Sequence, residues 1–246
     1  MIRSRSSIVA GGLALILGAI AFLVVFVYLA ATFDYPAVLE GPADRVLPAL
    51  LATGATGRFA WAVYALLPLI WLPAGVGAFD ALRARAEGGM RLALLFATLA
   101  ALSMMLGLMR WPSIHWELAQ AYGGAAPSER ATITAIFAGL NRYLGNYIGE
   151  FLGELCFSSF FLLSALAMLR TPAFPRWLGW WGMATAVFGL VGMFRNVTSA
   201  VASVAEVNNF LLPLWMIVFG MALIRYGGVE KSAPHGVSLL MASSPR

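Results

Sequence analysis

Residues Arg142 to Cys156 read RYLGNYIGEFLGELC, and the run that follows, FSSFFLLSALAML, reaches Leu169 without a charge or a proline. Glycines recur at 145, 149 and 153, and glutamates stand at 150 and 154. A helix turns about 100° per residue, so a step of four drifts by only about 40°. Gly145, Gly149 and Gly153 therefore form one stripe, while Asn146, Glu150, Glu154 and Ser158 form a second, offset by about 100°. Glycines at this spacing let another helix approach closely, because helices in a bilayer associate by packing. The carboxylates then face a different neighbour or a cavity between helices. Counting about 20 residues back from Leu169 places Glu150 near the membrane interface and Glu154 about 6 Å deeper. A carboxylate at that depth holds a proton or finds a cation, and two of them one turn apart titrate as a pair.

The rest of the chain supplies the membrane that this reading assumes. Of 246 residues, 61% are hydrophobic and 11% charged, against about 25% charged in soluble domains. Six segments are long enough to cross: 8–33, 59–79, 92–109, 149–169, 177–194 and 207–224. The first is uncharged and lacks a small-residue cleavage site, which reads as a retained anchor. The expected fold is all-α: a polytopic membrane protein with six transmembrane helices in one domain, 1–226, and a flexible cytoplasmic tail, 227–246.

Six crossings put both termini on one side. Arg3, Arg5, Arg83, Arg85, Arg91, Arg170, Arg176, Arg225, Lys231 and Arg246 share that side, ten basic residues against six on the other. Three crowd the single short loop between the second and third segments, so the termini are expected in the cytoplasm. Trp177, Trp180 and Trp181 suit the inner aromatic belt, and Trp111 and Trp116 the outer one. The net charge of +5 is this topology signal and implies no nucleic-acid partner.

The two long outer loops carry amphipathic patterns. Val46, Leu47, Leu50 and Leu51 fall on one helical face, interrupted by Pro48. After Pro127-Ser128, Ile133, Ile136, Phe137, Leu140, Tyr143, Leu144 and Tyr147 make one apolar stripe with a helical period, leading into the fourth segment.

Chemistry concentrates on the outer side. Arg110 closes the third segment, Arg195 and Asn196 close the fifth, and Glu206, Asn208 and Asn209 open the sixth. The ligand- or ion-binding candidates are thus Glu150, Glu154, Arg110, Arg195, Asn146, Asn196, Glu206 and Asn209, with Arg110 and Arg195 as counter-ions. The competing reading is a set of interhelical ion pairs that fix register. His115, beside Trp116 and Glu117, is expected to be solvated in its loop, and Asp80 beside Arg83 to be a helix-end charge. Neither His115 nor His235 lies in an apolar run, which excludes a bis-histidine haem within the membrane. No metal site, no cofactor and no catalytic residue is assigned. The single cysteine, Cys156, makes no intrachain disulfide and reads as a small buried apolar residue.

The order of landmarks carries a resemblance. FDYPAVLEGP follows the first segment, GRFAW opens the second, LGLMRWP closes the third, NRYLGNYIGEFLGEL opens the fourth, and LRTPAFPRWLGWWG links it to the fifth. From Ile8 to Arg225 the chain resembles the bacterial integral-membrane family catalogued as domain of unknown function 4386. The resemblance implies a six-helix protein of the bacterial inner (cytoplasmic) membrane and carries no activity with it. The leading expectation is a non-enzymatic accessory subunit, or a binder of a small ligand or lipid, with a polar cavity on the outer side. Its partners are the lipid bilayer and, in the subunit version, other membrane subunits or a second copy. One alternative is a proton- or cation-coupled secondary transporter using Glu154. Another is an intramembrane lipid-modifying enzyme using Glu150, Glu154 and His115.

Overall fold

The computed structural model describes residues 5–227. Arg3, Lys231, His235, Arg246 and nearly all of the expected tail lie outside them. Every regular element among the described residues is helical: α1 Arg5–Phe33, α2 Ala43–Ala52, α3 Gly54–Leu66, α4 Trp71–Met109, α5 Trp116–Gly124, α6 Pro127–Leu140, α7 Gly153–Leu169, α8 Arg176–Gly192 and α9 Ala202–Tyr226. Helices are what this composition demands, since a backbone surrounded by lipid must satisfy its own N–H and C=O groups. Two π-helical turns interrupt the series, Trp111–His115 and Asn141–Leu152, and a 3-10 turn, Met193–Asn196, follows α8.

Among the described residues, five continuous helical stretches are long and apolar enough to cross a membrane: Arg5–Phe33, Gly54–Gly124, Pro127–Leu169, Arg176–Asn196 and Ser199–Tyr226. The second of them has 71 residues, about 100 Å if straight and some three times a hydrocarbon core of about 30 Å. It is not straight. Ala86 leaves the helical region, with φ −156° and ψ 48°, inside the charged run between Arg83 and Arg91. There α4 folds back on itself: a methyl group on Gly75 would come within 2.9 Å of the Ala97 side chain on the returning arm.

α1, α4, α7, α8 and α9 pack in a closed ring, each against the next and α9 back against α1. Inside it Trp71, Phe157, Phe160, Phe161, Trp215 and Phe219 form a continuous core. Their rings stack and tilt at centroid distances such as 4.5 Å for Trp71–Phe157 and 5.4 Å for Trp215–Phe219. A second core caps one end of the ring, where α1 finishes and α9 begins. It unites Leu29 and Phe33 of α1, Val46, Leu47 and Leu50 of α2, Trp61 and Tyr64 of α3, Trp111, Trp116 and Phe137.

This cap corrects two expectations. Trp111 and Trp116 are buried, at 0% and 7% exposure, rather than standing in an outer belt. They are packed there because the π turn after α4 folds the loop back over α3, where Trp61 and Trp111 stack at 4.9 Å. The stripe from Ile133 to Tyr147 also divides. Phe137 enters the cap and Ile133 packs on it, but Ile136, Tyr143 and Tyr147 are exposed. Ile136 is turned outward within α6 itself. For the two tyrosines, a helical period of 3.6 cannot hold past Leu140, where hydrogen bonds change to the wider i→i+5 pattern.

Candidate functional site

The opening stretch lies mostly in the π-helical turn Asn141–Leu152 and runs on into α7. Its glycine face seats α4. A methyl group on Gly107 would stand 2.5 Å from the Gly149 Cα, so here the two backbones touch. One added on Gly145 would stand 2.5 Å from Arg110 Nη2, and one on Gly153 would stand 2.8 Å from Met104 Cγ. The ladder 145, 149, 153 therefore matches Arg110, Gly107 and Met104 rung for rung. It is used within the chain and is not left over for another subunit.

The carboxylate face meets α8. Arg195, in the 3-10 turn that closes α8, donates from Nη2 to Glu150 Oε2 at 3.0 Å and from Nη1 to Glu154 Oε2 at 2.7 Å. Nη1 also reaches the Gly192 carbonyl at 3.3 Å. The three side chains keep 28%, 31% and 24% of their surface, for Arg195, Glu150 and Glu154, so the triad is partly open. Phe194 lies edge-on to Phe151 beside it, at 5.4 Å.

Arg110 has a different setting. It is 5% exposed and, among the described residues, touches no carboxylate. Nε donates to Asn141 Oδ1 at 3.1 Å and Nη1 to the Gly107 carbonyl, while the guanidinium carbon lies 5.1 Å from the Trp111 ring centre. Asn141 in turn donates to the Leu39 carbonyl at 2.8 Å, tying the π turn to the loop after α1. Expected as a counter-ion, Arg110 is held by dipoles instead. Asn141 was open to discovery: it lies four residues before Gly145, on the glycine stripe.

The remaining candidates separate. Asn146 is half-buried in the π turn. Asn196 only closes its own turn, donating to the Met193 carbonyl at 3.4 Å. Glu206 and Asn209 are exposed on α9, whereas Asn208 between them is 8% exposed and faces the bundle. One residue is a turn of about 100°, enough to exchange inside for outside.

His115 overturns its expected solvation. It is 0% exposed, with ring centroids 4.8 Å from Trp111 and 4.7 Å from Phe137, and neither ring nitrogen has a hydrogen-bond partner among the described residues. It is therefore out of hydrogen-bond reach of both glutamates, and direct acid–base cooperation between them is absent from this arrangement. Asp80 is more than a helix-end charge, since it accepts from Ser7 of α1 as well as pairing with Arg83 at 3.6 Å. Tyr35, in the loop after α1, approaches Tyr64 at 6.2 Å between rings. Burial pushes its phenol above the ordinary tyrosine value, a hydrogen bond from Tyr64 opposes this, and the charges of Glu150, Arg110 and Arg195 all reach it. Tyr35 thus remains a neutral hydroxyl within the field of both arginines.

No curated protein and no solved structure matches this chain. The family model described as Domain of unknown function (DUF4386) matches residues 10–224, and the chain belongs to that family.

Proposed function

We propose that this protein is a non-catalytic binder that takes a small cationic group at the Glu150–Glu154–Arg195 triad, from the outer side of a bacterial inner membrane. In this reading the chain crosses six times with both termini in the cytoplasm. The fold-back at Ala86 supports counting residues 54–124 as two crossings, and the crowding of Arg83, Arg85 and Arg91 at that bend supports placing it inside. α2 and α6 then lie over the outer end, and Glu150 and Glu154 open toward it.

The observation that carries the ligand assignment is that two carboxylates share one guanidinium in direct contact. Arg110, the other arginine nearby, sits on the glycine face and touches neither of them. Each glutamate uses only Oε2 on Arg195, which leaves an acceptor oxygen on each. Near a low-dielectric wall, the surplus carboxylate charge favours a bound cation. The aromatic rings of Phe151 and Phe194 suit an ammonium group as well as a metal ion.

The test is thermal unfolding of the detergent-purified protein, titrated with NaCl, KCl and ethanolamine hydrochloride at constant ionic strength. A saturable rise with at least one cation, lost in Glu154→Gln, is the expected result. A ligand at a hundred times its Kd would stabilise by about 2.7 kcal/mol. Responses identical for all cations and unchanged by the substitution overturn the binding reading.

The polar stripe continues below Glu154 to Ser158, and this favours a second reading, a cation-coupled carrier. Proteoliposomes carrying Glu154→Gln would then lose gradient-driven uptake. In the accessory-subunit version, the exposed flank of α1, at Leu13, Leu17, Ile20, Val24 and Val27, lies against another subunit or a second copy. Native mass spectrometry showing only monomers would remove that version.

A further inference from the structure

We infer that the carboxylate pair is the mouth of an alkali-cation site whose deeper ligands are Ser158, Asn208 and Thr185. The inference rests on the cationic reading of the outer triad and names its ligand as a monovalent metal ion of sodium type.

Ser158 is one turn below Glu154 on the same stripe, so their Cβ atoms lie about 5–6 Å apart. It meets α8 at Gly189. A methyl group added there would overlap Ser158 Oγ and come within 3.2 Å of Asn208 Nδ2, so the side chains of α7 and α9 converge above this glycine. Thr185 is one turn further along the same buried face of α8. All three are enclosed, at 6%, 8% and 1% exposure for Ser158, Asn208 and Thr185. The Asn208 carbonyl oxygen and the Thr185 hydroxyl have no hydrogen-bond partner among the described residues. A buried polar atom left in that condition costs about 1–3 kcal/mol, and here one stands on α8 and one on α9, two helices that pack together.

The chemistry of the set selects the ion. Hydroxyl and amide oxygens are hard, uncharged ligands, and one carboxylate supplies the charge. That combination suits an alkali cation, with transition metals calling for imidazole or thiolate instead. Among the described residues no cluster of three or more His, Cys, Asp or Glu side chains exists to hold such a metal. A half-turn of the Asn208 amide exchanges Nδ2 for Oδ1 at the convergence point without moving any other atom. The floor is closed: the Trp215 ring packs directly on Gly182, one turn below Thr185, and stacks on Phe219. An ion entering past Glu150 and Glu154 therefore stops at this level.

The experiment follows Na+ and K+ titrations of the purified protein by thermal unfolding, with the bulky N-methyl-D-glucamine chloride holding ionic strength constant. Thr185→Val and Ser158→Ala preserve shape and are compared with wild type and with Glu154→Gln. The expected result is saturable stabilisation by Na+, at least tenfold weaker affinity in Thr185→Val and in Ser158→Ala, and none in Glu154→Gln. Unliganded melting temperatures close to wild type in the two conservative variants exclude misfolding as the cause. Na+ stabilisation that depends on Glu154 but is unchanged in both conservative variants overturns the deeper site and leaves the outer triad standing. A response to ethanolamine alone does the same. Failure of every cation overturns this inference and the cationic reading together.

Discussion

Arg195 and Arg110 begin from the same local design. Each follows the last turn of a long apolar helix, each returns a hydrogen bond to the carbonyl three residues back, and each meets the segment from Asn141 to Glu154. They reach it from opposite faces. Arg195 is half-open and holds two carboxylates; Arg110 is buried and holds an amide oxygen and a carbonyl. Partial exposure keeps the Arg195 pairing in exchange with water, where ion pairs are weak and replaceable. Full burial makes the bonds of Arg110 costly to break, since a buried group that loses its partner keeps its desolvation penalty. One arginine is suited to trade partners with a ligand, and the other to peg α4 against the π turn.

The comparison fails at once if the glycine face is disturbed, and this sets the largest expected effect. Gly149→Val drives side-chain atoms into the backbone of α4, where Gly107 already stands at contact. Folded protein should be lost from detergent extracts. Gly139→Ala is the control, because among the described residues nothing beyond its own stretch of helix lies within 4 Å of a methyl group there. It should be neutral or stabilising by up to about 1 kcal/mol. Equal loss in both variants would show that the ladder is not the seat of α4.

Next come the arginines themselves. Arg110→Ala removes both bonds and leaves a gap over Gly145, with an expected loss of about 2–4 kcal/mol. Arg195→Ala is expected to cost about 1–2 kcal/mol, because solvent reaches a quarter to a third of each partner. A double-mutant cycle sharpens the contrast. Glu154→Gln should relieve part of the Arg195→Ala defect, since it removes the stranded charge, and should add independently to Arg110→Ala. Coupling of equal size to both arginines would erase the distinction between peg and exchangeable partner.

How much of this was legible depended on geometry. The apolar runs announce helices because length and the absence of charge decide that alone. The two stripes were visible as steps of four, and so was the division of labour between glycines and glutamates. What stayed hidden were the π turns. Pro112 in WPSIH announces a break in the helix without saying that i→i+5 bonding follows, and nothing in NRYLGNYIGEFL marks the change at all. That change carries Trp111 and His115 inward and leaves Tyr143 and Tyr147 out. Asn208 and Asn209 are likewise alike in composition, and the turn between them is what sorts them.

His115 provides the smallest effect and the finest test of the buried side. It sits between Trp111 and Phe137, five residues after Arg110, and neither ring nitrogen is hydrogen-bonded among the described residues. A polar ring in such a place contributes shape and apolar contact while its nitrogens remain a cost. Phenylalanine supplies similar shape without the nitrogens, and replacing unsatisfied polar groups by apolar ones of like form is close to neutral or stabilising. His115→Phe should therefore leave the melting temperature unchanged or raise it by a few degrees, as expected for about 1 kcal/mol in a chain of this size. His115→Ala should lower it, because the cavity between two aromatic rings stays open. The pair of variants separates packing from polarity. If phenylalanine proves as damaging as alanine, a ring nitrogen is engaged, and the buried side of the molecule binds something as well.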